Sequence, residues 1–165
     1  MVAHLHSLGQ RRLAFAEHHS TLGPTSERET AFLAAAAQCS PAASHFIANA
    51  ADSLSGGRQA TREILSSGFS PTAIICVNDF MAVGVLRELQ DQGLRVPEDI
   101  SVTGFDNIQL AEYLSPSLTT VHIPRAEIGR LAFDILILDA SNGAPQPNET
   151  LINPELVVRE STGPA

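Results

Sequence analysis

Pro71 to Thr120 reads PTAIICVNDFMAVGVLRELQDQGLRVPEDISVTGFDNIQLAEYLSPSLTT, and this stretch decides the fold. Two apolar, β-rich runs, Ala73–Val77 and Ile100–Phe105, flank one amphipathic helical segment. Asn78 follows the first run and Asp106 the second. In a parallel α/β sheet, ligands sit at the carboxyl ends of the strands. The stretch therefore sets an amide and a carboxylate on one rim of a sheet, as a small-molecule pocket requires.

Outward from this segment, short β runs alternate with helical patterns, which predicts βαβ units and a parallel sheet. The pattern predicts a helix at Val2–Ser7, a strand at Arg12–Phe15 and a helix from Glu27 to Gln38. Ser26 and Glu29 have capping-box spacing before that helix. A strand at His45–Ala48 follows, then a helix from Gly57 to Ser66 with Ser55 as its cap. The helix from Phe80 to Gln92 starts from Asn78 or Asp79 and ends at Gly93 in the C′ role. It is apolar on more than one face, so one face covers the sheet and the other suits a partner or a neighbouring loop. Beyond Thr120, a helix at Arg125–Asp139 carries Ile128, Leu131, Ala132, Ile135, Leu136 and Leu138. That stripe needs a sheet to cover it. Ser141–Asn148 reads as a linker, and two short strands are expected near Thr150–Ile152 and Glu155–Arg159.

Composition narrows function. A length of 165 residues supports one domain with a real core. The chain is 44% hydrophobic without a run of membrane-spanning length, and the N-terminus lacks a secretory-type apolar stretch. The expectation is a soluble cytoplasmic protein with no membrane partner. Net charge is −8, and all ten cations are Arg. Nothing supplies the basic face that phosphate neutralisation requires. Without Lys there is no Walker-type lysine and no Schiff base. Cys39 and Cys76 are far apart, and no metal site or cofactor is expected. Glu17, His18 and His19 read as a solvated loop rather than a chelate, and His4 and His6 point two ways along a helix. Asn148-Glu149-Thr150 is a sequon without meaning unless the chain is secreted.

Three motifs carry a resemblance: ND-x-MA-x-G from Asn78 to Gly84, GL-x-VPEDISV-x-GFD from Gly93 to Asp106, and SPSLTTV from Ser115 to Val121. With AHLHSLGQRRLAF from Ala3 to Phe15 and PELVVREST from Pro154 to Thr162, they span nearly the whole chain. The sequence resembles the effector-binding core of the lac/galactose (LacI/GalR) repressor family of transcription regulators. The resemblance implies an α/β fold: a parallel sheet flanked by helices, as in the C-terminal lobe of a periplasmic-binding-protein-like type I fold. A helix and a strand of the other lobe would accompany it. Residues 1–121 would be the C-terminal lobe, 122–154 a segment of the N-terminal lobe, and 155–165 the return strand and tail. The DNA-binding domain is expected to be absent from these residues, so DNA would be reached only through a helix-turn-helix domain elsewhere. Expected partners are a small-molecule effector and a second copy of the chain in a homodimer.

The same resemblance bears on site residues. On spacing alone, Arg28 pairs with Glu27 or Glu29. A cation in a helix's first turn opposes the dipole, and the family's R-x-x-G-aromatic string matches Arg28 to Phe32, with Ala31 in place of Gly. The resemblance therefore implies effector contact by Arg28. Asp106 would either cap the segment Ile108–Tyr113 or hydrogen-bond the effector; one carboxylate can do both. Asn78 is either an N-cap or a ligand contact. Asp79 reads as structural. The family's stacking aromatic would fall near Ala51, where no aromatic stands. A carboxylate and a guanidinium together grip neighbouring hydroxyls, which suits sugars and nucleosides. The leading function is effector sensing and dimerisation in a LacI-type regulator. A transport sugar-binding protein and, behind it, a small α/β enzyme are the alternatives; no nucleophile–base pair is evident, and the reading is non-enzymatic.

Overall fold

A computed structural model describes residues 1–18, 24–142 and 150–165, the side chains of residues 24–26 and 138–142 excepted. The order is α1 (Val2–Ser7), β1 (Arg12–His18), α2 (Pro24–Gln38), β2 (Ser44–Ala50), α3 (Leu54–Ser66), β3 (Ala73–Cys76), α4 (Asp79–Asp91), β4 (Ser101–Thr103), β5 (Thr120–His122), α5 (Arg125–Asn142) and β6 (Glu155–Val157). Strands β2-β1-β3-β4 form one parallel sheet, and β5 pairs with β6 in a separate antiparallel ladder.

Strands β1, β3 and β4 are buried, and β1 and β3 read as nearly continuous apolar runs, whereas the edge strand β2 is largely exposed. Phe15 of β1 stacks on Phe32 of α2. Ile64, Met81, Val85 and Leu89 of α3 and α4 are sealed against the sheet's other side with Ile74 and Val102. Each such side chain contributes about 1.5–3 kcal/mol of burial. Helices α3 and α4 cross closely through glycines. A Cβ on Gly84 would lie 2.0 Å from the Leu54 carbonyl, and one on Gly57 would lie 2.1 Å from that of Met81.

Several expectations shift for local reasons. Ser53, not Ser55, caps α3, accepting from the Gly56 N–H. The helix α2 begins at Pro24, so Ser26 stands inside its first turn rather than before it; proline favours that first position. Strand β1 runs on to His18, so Glu17 is a buried strand residue and not a loop residue. His19 lies outside the described residues. Residues 150–152 are irregular and form no strand, while β5, unanticipated, supplies the partner for β6. Of the expected linker Ser141–Asn148, Ser141 and Asn142 continue α5, and the rest lies outside the described residues. Gly93 has φ +75, as its C′ role requires.

Candidate functional site

The carboxyl rim is built where β3 and β4 end. Asn78 caps α4: its Oδ1 accepts the Met81 N–H at 2.8 Å, leaving the amide nitrogen to donate to Asp52 at 2.6 Å. Both anticipated roles are thus open to one side chain, since the cap uses the oxygen alone. Asp79 turns inward and accepts from the Thr120 hydroxyl at 2.6 Å and the Ile108 N–H at 2.8 Å. It is structural, as expected, and it takes the contact anticipated for Asp106. The turn Gln109–Glu112 has no side-chain cap, so the capping reading of Asp106 is overturned: Asp79 already holds the N–H there.

Asp106 is instead presented by a constrained turn. Its φ is 114 and that of Asn107 is 49, a left-handed region that costs non-glycine residues roughly 1–3 kcal/mol. The turn is held from every side. The Asp106 N–H donates to the Val121 carbonyl at 2.9 Å, and its own carbonyl accepts from Arg125 at 2.6 Å. Asn107 accepts from Arg159 at 2.8 Å and meets His122 at 3.2 Å. Burial raises the Asp106 carboxyl above its ordinary range; Arg28 and Arg125 oppose this and Asp52 adds to it.

Asp52, Ser53, Leu54, Ser55, Asn78, Phe80 and Asp106 line one cavity of about 640 Å³. The structure thus brings Asn78 and Asp106 together. Arg28 lines an adjoining apolar hollow of about 420 Å³ with Phe15, Phe32, Val77 and Phe105. Its guanidinium lies 3.9 Å above the Phe105 ring centroid and donates to the Val77 carbonyl at 2.8 Å. It does not use Glu27 or Glu29 as spacing suggested; a cation over a ring face is favourable. Nearby, Glu17 and Glu29 are hydrogen-bonded to each other, and burial lifts the Glu17 carboxyl to about 7.

Sequence reasoning missed Asp52, Phe80 and Glu17. Asp52 stands just before a helix cap, which was a usable signal. Nothing local announces the other two. Among the described residues, no group of His, Cys, Asp and Glu could hold a metal ion, and no helix is long and apolar enough to cross a membrane.

Residues 2–162 match the periplasmic binding protein-like domain. The chain belongs to that family. Its parallel sheet flanked by helices is the fold of the effector-binding core of LacI/GalR regulators. The domain is 50% identical over 91 residues to the HTH-type transcriptional repressor PurR of Vibrio vulnificus, across 55% of this chain and 27% of that protein. It is 38% identical over 117 residues to the ribose operon repressor of Haemophilus influenzae, across 71% of this chain and 35% of that one. A LacI-family regulator from Enterococcus faecium, solved with bound ribose, superposes with a TM-score of 0.87 at 29% identity, covering 99% of this chain and 61% of the other. The domain therefore spans about a third of the curated relatives it matches. The likeness to repressors, rather than to transport proteins or enzymes, favours the regulator reading.

Proposed function

We propose that this domain senses a small hydroxylated effector, sugar-like or nucleoside-like, for a cytoplasmic LacI-type regulator, and that it does no catalysis. Asp106 carries the reading. A half-buried carboxyl is held on a constrained turn, faces a cavity shared with Asn78, and stands within electrostatic reach of Arg28. That arrangement suits hydroxyl donors, with Asp106 accepting, Asn78 offering its amide, and Arg28 donating once a ligand enters. Residues 1–121 form the lobe that carries these groups, 122–154 cross toward a second lobe, and 155–165 return. DNA contact falls to a helix-turn-helix part outside these residues, and the working unit is a homodimer. Effector binding acts on DNA affinity only if the two states of the regulator bind it differently.

Calorimetry with ribose, nucleosides and nucleobases tests the site. Asp106→Ala and Arg28→Ala should each weaken binding by roughly 1–3 kcal/mol, because each leaves ligand polar groups unpaired. Wild-type affinity in both variants would remove them from the site.

A further inference from the structure

We propose that Phe80 is the apolar platform of the ligand cavity, the surface on which the C–H face of a bound sugar ring lies. The inference rests on the sugar reading above and names a contact that reading does not contain.

Phe80 stands in the first turn of α4, directly after Asn78 and Asp79. Its chain neighbours Asp79 and Met81 are completely buried, whereas Phe80 is 53% exposed. At about 100° per residue, the helix that turns those two inward must turn Phe80 out. It turns out into the cavity lined by Asp52, Asn78 and Asp106, beside the half-exposed Leu54. An exposed aromatic ring among carboxylates and an amide is the composition of a ligand pocket: an apolar wall with a few placed polar groups.

The chemistry of the ligand matches that division. A sugar ring carries hydroxyls around its edge and C–H bonds on its faces. Asp106, Asp52 and the Asn78 amide address the edge. A face needs an apolar, flat, weakly negative surface, which a phenyl ring supplies. Other aromatics near the sheet are engaged. Phe105 has Arg28 over its face, and Phe15 and Phe32 are stacked on each other. Tyr113 is exposed but does not line this cavity. Among the described residues, Phe80 is the aromatic that this cavity offers.

The test uses the full chain with its phenylalanine rings labelled with carbon-13, titrated by NMR with D-ribose, D-galactose and D-glucose. Saturable shifts of the Phe80 ring are expected with at least one sugar. Phe80→Ala should weaken that sugar about tenfold, the scale of one good aromatic contact, and Phe80→Trp should keep or improve it. Phe80 is exposed, so neither variant should disturb folding, and melting curves check this. If Asp106→Asn loses the sugar while Phe80→Ala binds it like wild type, Phe80 is no platform and the sugar reading survives. If Phe80→Ala keeps the sugar but loosens a dimer in sedimentation, Phe80 is an interface residue and the proposal fails. If wild type binds none of the three sugars, the sugar reading fails and the platform with it.

Discussion

Two carboxylates at the ends of the neighbouring strands β3 and β4 show how a single side chain's surroundings decide its role. Asp79 is sealed, and although burial raises its pKa it is held by Thr120 and Ile108. Asp106, half-buried, faces the cavity. Glu17 is a third case. Buried against Glu29, it keeps its proton to about pH 7 rather than its ordinary 4.5. The folded chain then holds a proton that the unfolded chain releases between those values. The stabilisation that Glu17 contributes is therefore fully present below pH 4.5, falls as pH rises and is gone above about 7, a loss of about 3 kcal/mol at 1.36 kcal/mol per unit. Urea unfolding across this range should show the decline, and Glu17→Gln should flatten it. An identical slope in the variant would place the proton elsewhere. The letters Glu17-His18-His19 read as a loop because burial of a charge is not visible in a string; the ladder from Arg12 to His18 is what carries Glu17 inside.

At the scale of elements, α3 and α4 are the tightest join in the domain. Glycines 57 and 84 let the backbones meet, and Glu88 ties the pair by accepting from Arg58 on one side and Arg62 on the other, each at 2.9 Å. Hydrogen bonds from Arg62 and Gln92, with the charges of Arg62 and Arg58 behind them, hold the Glu88 carboxyl well below its usual range, at about 2. Adding one methyl at Gly84→Ala would drive a Cβ into the Leu54 carbonyl, and backbone cannot rotate away as a side chain can. We expect a loss of about 1–3 kcal/mol, the range for overpacking, measured by chemical denaturation. Unchanged stability would mean that the helices separate freely. The helices themselves were legible from their period, and α4 from its Asn78 cap as well, within three residues at their ends, although the caps expected for α2 and α3 were misplaced. Their glycine contact was not, because a glycine in a helix reads only as a weak residue until its neighbour is known.

For the whole molecule, α5 is the unfinished feature. Ile128, Phe133 and Leu136 are 40%, 63% and 68% exposed, and among the described residues no sheet covers them. Leaving such side chains wet forgoes roughly 1.5–3 kcal/mol each, against a total stability of about 5–15 kcal/mol for a typical domain. The chain should therefore associate through this helix, and sedimentation velocity over a dilution series should show mass rising with concentration. A monomer at every concentration, with rapidly exchanging amides along residues 125–137, would contradict this.

The string by itself determined the parallel α/β architecture, most helix and strand positions, and the rim that holds Asn78 and Asp106. Alternation of apolar runs with helical periodicity and caps is local information, and strand ends follow from it. Tertiary structure alone decided which groups share a cavity. It moved Arg28 from the glutamates beside it onto Phe105 and Val77, gave the expected cap of Asp106 to Asp79, and set Phe80 and Asp52 beside the site. Those outcomes depend on residues far apart in the chain, such as Asp79 with Thr120 and Asn107 with Arg159. The choice among several satisfactory hydrogen bonds is made by packing, which only the folded sheet supplies.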